Sequence, residues 1–396
     1  MRLRSGIGRH RGAIGLVLAA AAVAGLVASC GTPGGSGGPS PAITGSTGQV
    51  KVALLLPISG AGGTQGVARA LKQAAELALF DFDNPNVALM PKDTGGTPGG
   101  ARAAAESAVR DGAELIIGPL FAQEVAGAAP VARQSGIPMI AFSSDEKVAG
   151  GGVYLLSFVA GRDVPRIVSF VMSRGKRKIA ALVPQTAYGQ LAEGALNRAV
   201  TSGGGQVALH ASFSPNDSGS MQGPVNQIAG AVKSGGRIDA VFLPAGREEL
   251  PSLGPLLASS GLTSAQMQLL GTGQWDFPGI GSERALIGGW YPAPDPKGWS
   301  GFVERYTRTY GSAPPRIASL AYDAVSLAVS LSQYPPGQRY SIAQLTRASG
   351  FAGVDGLFRL RSDGTAERGL AILEVTASGP RVIDPAPTSF GTASGY

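Results

Sequence analysis

Chemistry-bearing side chains are scarce in this chain. It has one cysteine, Cys30, and two histidines, His10 and His210. A single cysteine forms no intramolecular disulfide, so burial of apolar side chains has to hold the fold. The same scarcity excludes thiolate and imidazole metal sites, which need several such ligands. A serine–histidine–acid triad would have to use His210, in the strand-like run Gln206-Val207-Ala208-Leu209-His210, and no G-x-S-x-G turn accompanies it. Aromatic residues make up 6% and charged residues 15% of the chain, so cores rich in Ala, Val and Leu are expected. No basic stripe is present; the densest cluster, Arg174-Gly175-Lys176-Arg177-Lys178, reads as a solvated turn before a strand, which argues against a nucleic-acid partner. These gaps predict no metal, no cofactor and no enzymatic activity.

What positive charge there is lies mostly at the start. Arg2, Arg4, Arg9 and Arg11 precede an uncharged apolar run from Ala13 to Val27, which closes on Ala28 and Ser29 just before Cys30. A basic stretch, a short apolar stretch and small residues make a secretory signal. The apolar run falls short of the roughly 20 residues that span a bilayer. Val27-Ala28-Ser29-Cys30 resembles a lipobox. That likeness implies that residues 1–29 are removed as a signal peptide and that Cys30 is lipidated. It places the mature chain in the periplasm, anchored to the cell membrane. Losing four arginines and no acid lowers the formal charge from +7 to +3. Residues 30–49 are rich in Gly, Ser, Pro and Thr and read as a flexible tether.

From Val50 the pattern changes. Val50-Lys51-Val52-Ala53-Leu54-Leu55-Leu56 is the near-continuous apolar run of a strand buried on both faces. A glycine loop, 59–66, and a helical apolar period up to Phe82 follow. Thr97-Pro98 caps and opens a helix through Arg110. Strands over 114–117 and 137–142 flank a helix over 121–134. The alternation restarts after Tyr154, with strands over 178–183, 206–213, 238–243 and 267–271 between helices. Strands and helices alternating at these lengths predict an α/β fold of two lobes, each a mainly parallel sheet flanked by helices. Trp290 to Pro294 reads as a crossover, followed by helices over 297–310 and 316–332. Asp363-Gly364 is a hairpin signal between 358–361 and 370–375. The expected layout is 50–157 plus 292–345 for lobe 1, 158–291 plus 346–384 for lobe 2, and a loose tail over 385–396.

Open α/β sheets bind ligands at the C-terminal ends of their strands. The loops there carry the candidate binding residues: Ser59, Gly60, Gly118, Phe121, Gln123, Ser143, Ser144, Tyr188, Ala245, Trp275 and Asp276. The 59–66 loop has no Lys-Ser/Thr pair and misses the G-x-G-x-x-G spacing, so a nucleotide phosphate is not its ligand. Its backbone N–H groups at a helix N-terminus suit a carboxylate. Ser143-Ser144-Asp145 reads equally as a helix cap, Tyr188 as a surface aromatic, and Trp275 as a packing residue.

Several stretches, in order, resemble the type I periplasmic-binding-protein family, in its leucine/isoleucine/valine-binding branch. They are Val52-Ala53-Leu54-Leu55-Leu56-Pro57 with Ser59-Gly60, Gly112 to Pro119, Gly136 to Ile140, Tyr188-Gly189, Ala321-Tyr322-Asp323-Ala324 and Gly353-Val354-Asp355-Gly356. The resemblance implies a two-lobed fold joined by crossover strands that closes on a small polar, amino-acid-like ligand and hands it to an ABC permease. It implies that Ser143 and Ser144 hold a ligand's backbone groups and that Tyr188 covers it. The family's serines after Gly-Pro are replaced here by Leu120-Phe121-Ala122, and Asp276 stands for its amine-binding acid. The lipobox and tether also resemble the lipoproteins that activate penicillin-binding proteins. That likeness implies a peptidoglycan synthase as partner and a vestigial cleft.

Overall fold

The computed structural model describes residues 48–390 apart from Asn84, Asn216 and Gly236, so Cys30, the 30–47 segment and 391–396 lie outside the described residues. The body opens with β1 (Val50–Leu56), whose alternate side chains enter two different cores: Val52, Leu54 and Leu56 one, Ala53 and Leu55 the other. Burial on both faces is what a continuous apolar run requires. The chain continues through α1 (Thr64–Phe80), β2 (Val87–Asp93), α2 (Pro98–Arg110), β3 (Leu115–Ile117), α3 (Ala122–Gln134), β4 (Met139–Ala141) and β5 (Val153–Leu155). The five strands form a wholly parallel sheet in the order β2-β1-β3-β4-β5. As the cap signal predicted, Thr97 accepts the Gly100 N–H at 3.0 Å and Pro98 opens α2.

The second lobe runs through α4 (Val164–Ser173), β6 (Lys178–Pro184), α5 (Ala187–Ser202), β7 (Gln206–Phe213), α6 (Gly219–Lys233), β8 (Ala240–Phe242), α7 (Leu250–Ser260), β9 (Gln268–Leu270) and β10 (Trp290–Ala293). The chain then returns with α8 (Pro296–Tyr310), α9 (Ala318–Leu331), the single turn α10 (Ile342–Leu345), β11 (Phe351–Gly353), β12 (Gly356–Leu360) and β13 (Ala366–Arg368), and ends with β14 (Ala371–Thr376) and β15 (Gly379–Asp384). The second sheet is ordered β15-β14-β10-β9-β8-β6-β7, with β14 antiparallel to both neighbours. Helices α6 and α7 bury one face of it and α4 and α5 the other.

Four sequence expectations change. The strand β2 was not foreseen: it is a half-buried edge carrying Pro91 and Lys92, so it lacks the continuous apolar run of a central strand. The Asp363-Gly364 turn joins β12 to β13, and the run 370–375 instead pairs with β10 and β15. The layout of the tail changes too. Phe351, Phe358 and Leu360 pack into the core of the first lobe, with α8 and α9, so only β14 and β15 of the segment 346–384 belong to the second sheet. Lastly, β10 is a full member of the second sheet, and the crossing lies after it at 294–295. Three short segments thus pass between lobes: 156–163, 294–295 and 369–370.

Gly118 ends β3 at φ +88°, and a Cβ there would lie 2.1 Å from the Leu55 carbonyl oxygen. Only glycine satisfies both conditions. We expect Gly118→Ala to lower unfolding stability by about 2 kcal/mol or more in urea denaturation.

Candidate functional site

Each lobe carries one recess, and both are lined from the C-terminal ends of parallel strands. In the first lobe a cavity of about 520 Å³ is walled by Leu120 to Ala122 after β3, Phe142 to Asp145 after β4 and Ser157-Phe158 after β5. Arg316, Ile317 and Leu320, at the start of α9, complete it. In the second lobe a recess of about 190 Å³ is lined by Pro184, Thr186 and Tyr188 after β6, Pro244, Gly246 and Glu249 after β8, and Gln274 after β9.

Local hydrogen bonds set these loops. The buried Glu124 carboxylate accepts the Phe121 N–H at 2.9 Å and the Thr94 hydroxyl, which pins the backbone that presents Phe121. Ser143 is buried, and its Oγ accepts the Asp145 N–H at 3.1 Å, leaving the hydroxyl hydrogen free to donate; Ser144 beside it is exposed. In the second lobe Thr186 accepts the Gly189 N–H at 3.0 Å and so starts α5. Tyr188 donates its hydroxyl to Thr272 Oγ1 at 2.7 Å, and burial, aided by the Asp163 charge, holds its pKa well above the usual phenol value. Asp163 Oδ2 accepts the Gly273 N–H at 2.5 Å, tying the first crossing segment to the loop after β9. Asp276 follows on that loop. Solvent reaches its carboxylate although protein surrounds it on most sides; this partial burial raises its pKa, and the nearby Arg316 charge works against the rise.

Of the residues named from sequence, Phe121, Ser143 and Ser144 line the first-lobe cavity and Tyr188 the second-lobe recess. Asp276 faces solvent near Arg316 and lines neither. Ser59 and Gly60 sit outside both, and Gln123 spends its amide on the Gly96 carbonyl at 3.1 Å. Gly118, Ala245 and Trp275 do not stand as contact residues. Gly118 packs against Leu55, Ala245 is fully buried, and Trp275 is fully buried in the second-lobe core, 6.1 Å from the Tyr291 ring. The short loop after β9 turns the indole inward because Gly271 and Gly289 leave room for it. Sequence reasoning missed Phe142, Ser157, Phe158 and Arg316. The first three continue strand ends already singled out. Arg316 had only Pro314-Pro315 before a helix to mark it, and its neighbours come from distant sequence.

A profile of the periplasmic binding protein family matches residues 49–380. The chain belongs to this family. A curated relative, a Leu/Ile/Val-binding protein homolog from Brucella melitensis, is 25% identical over 253 residues; the match covers 60% of this chain and 62% of that protein's length. A protein from Rhodospirillum rubrum described as a branched-chain amino acid ABC transporter superposes with a TM-score of 0.73 at 18% identity, over 85% of this chain and all of that one. A branched-chain amino acid substrate-binding protein from Streptococcus pneumoniae, solved with isoleucine, reaches a TM-score of 0.55 at 16% identity, over 85% of this chain and 100% of that one. At these identities the solved structures establish the fold, here the type I two-lobed α/β arrangement.

Four charged side chains meet beside the first-lobe cavity. Asp323 and Asp355 are fully buried, and Arg368 nearly so. Arg316 Nη1 lies 2.5 Å from Asp355 Oδ1, and Ser319 donates to Asp355 Oδ2 at 2.7 Å. Asp323 Oδ1 accepts the Val354 N–H at 2.7 Å, and its Oδ2 lies 4.0 Å from Arg368 Nη1. Arg368 has no hydrogen-bond partner among the described residues and stacks 4.6 Å from Phe158 and 5.8 Å from Phe358. Burial disfavours charge on both members of the Asp323–Arg368 pair; a guanidinium keeps its proton, so the carboxyl is the group that titrates. Burial, reinforced by Asp355 and opposed by Arg368, pushes Asp323 up to about 7. Its folded pKa exceeds the unfolded value of 3.8, so the folded state binds the extra proton and stability falls as pH rises between those values. Asp323→Asn removes that titration. Urea denaturation should show the variant gaining on the parent between about pH 4 and about pH 7; a constant difference would show that Asp323 is ionised throughout.

Proposed function

We propose that this chain is an extracytoplasmic solute-binding protein of ABC-type transport, tethered to the cell membrane by lipidated Cys30, which closes its two lobes on a small amino-acid-like ligand. The observation that carries the reading is the pairing of two loop-lined recesses, one per parallel sheet. They are joined by three short segments that allow the lobes to hinge. Such a pair is concave and mostly apolar, with a few convergent polar groups, as small-molecule sites are. Ser143 and Ser144 would take the ligand's polar end from the first lobe, Tyr188 would cover it from the second, and Asp276 would meet an amine. Family membership and the isoleucine-bound structural neighbour support an amino-acid-like solute and a permease partner.

Thermal unfolding of the mature protein with L-leucine, L-isoleucine and L-valine tests this. A true ligand at about 100 times its Kd adds roughly 2.7 kcal/mol of stability and raises Tm. Tyr188→Ala should weaken that ligand by about tenfold through the lost aromatic cover. If no amino acid or other small solute shifts Tm, the receptor reading fails. In cells, Cys30→Ser should move the protein from the membrane to the soluble fraction, because the acyl chains supply the attachment.

A further inference from the structure

We propose that Arg316 is the anchor of this site and that the ligand is an apolar monocarboxylate whose carboxylate sits on the Arg316 guanidinium. The inference rests on the solute-binding reading above and narrows it to a chemical class.

Three observations carry it. First, the guanidinium is held rigid. Its Cζ lies 4.5 Å from the Trp299 ring centroid and 5.2 Å from that of Phe158, while Nη1 meets the fully buried Asp355. A planar cation stacked on aromatic faces and tied at one nitrogen loses little freedom on binding an anion. Second, it has donors to spare. Asp355 and a long 3.5 Å contact to Ser319 both engage Nη1, whereas Nε and Nη2 have no protein partner among the described residues. The side chain is 33% exposed and forms part of the cavity wall. Adjacent N–H groups in a fixed fork match the two oxygens of a carboxylate. Third, the rest of the cavity is apolar: Leu120, Phe121, Phe142, Phe158, Ile317 and Leu320, with the serine hydroxyls as the neutral polar groups.

Charge around the cavity limits the ligand to a single carboxylate. The one other charged side chain on the wall is Asp145, whose Oδ1 accepts the Lys147 N–H at 3.0 Å in its own turn. Asp276, on the loop after β9, is near enough to Arg316 for the two charges to interact. With Asp145 on the wall, Asp355 behind the guanidinium and no second cation lining the cavity, a second ligand anion has no favourable place, so a dicarboxylate is repelled. An apolar body of leucine or phenylalanine size fits the walls.

The test is calorimetric titration of the intact mature protein with matched pairs: L-leucine and L-leucinamide, L-phenylalanine and L-phenylalaninamide, benzoate and benzamide. L-glutamate, D-glucose and putrescine complete the panel. A charge-assisted bidentate contact makes the acid of a bound pair tighter than its amide by more than about tenfold. Arg316→Lys keeps the charge opposite Asp355 but loses the fork, and should bring the acid close to its amide. The variant's Tm without ligand reports whether it folds, and the acid–amide comparison in the parent decides the matter if it does not. Equal binding of acid and amide, unchanged acid affinity in Arg316→Lys, preference for L-glutamate, or binding of glucose or putrescine alone would overturn the anchor while leaving solute binding intact. A parent that binds nothing in the panel overturns both readings.

Discussion

A group of four charges, three of them buried, holds the junction on which the rest of the molecule turns. Arg316 precedes α9, Asp323 lies within it, Asp355 sits in the turn between β11 and β12, and Arg368 ends β13. These positions lie between the second and third crossings, with Arg368 directly before the third, and both arginines stack on Phe158, which belongs to the first. Removing one partner of a buried pair typically costs about 3–5 kcal/mol, because an uncompensated charge is left behind. The group therefore works as a geometric lock more than as a net source of stability. It fixes where the crossing segments sit, and through them where each lobe's loops emerge.

The two sheets convert that junction into a site. Parallel strands deliver their C-terminal loops to one edge, so residues far apart in sequence, such as Phe121, Ser143, Phe158 and Arg316, share one cavity. The two recesses differ in character. The first-lobe cavity is larger and lined with phenylalanines, and it has one organised cation. The second-lobe recess is smaller and presents Thr186, Tyr188, Glu249 and Gln274.

Much of the fold was legible because local signals agreed with the tertiary outcome. The run Val50 to Leu56, the Thr97-Pro98 start of α2 and, apart from β2, the alternation through Leu270 agree with the structure, since burial on both faces leaves little choice of element. The failures share one cause. The edge strand β2, with Pro91 and Lys92, is stabilised by pairing with β1 more than by its own composition. The run 370–375 was apolar enough to be a strand, yet its partners are β15 and β10, the latter some eighty residues earlier, and not β12 across the Asp363-Gly364 turn. His210, expected on a strand face inside the protein, is half exposed on edge strand β7, with Glu193 Oε1 2.8 Å from its Nε2.

The candidate site divides in the same way. Sequence alone determined the α/β class and the strand-end loops, with Ser143, Ser144 and Tyr188 on them, that line the two recesses, because strand periodicity and loop position are local properties. It also excluded thiolate and imidazole chemistry by composition. Only the tertiary structure decided that Trp275 turns into the core, that β11 to β13 pack with the first lobe, and that Arg316 meets Asp355, Trp299 and Phe158. Those outcomes depend on contacts between segments separated by tens to more than a hundred residues. No period or spacing encodes them, because they arise from which surfaces remain to be buried once the two sheets have formed.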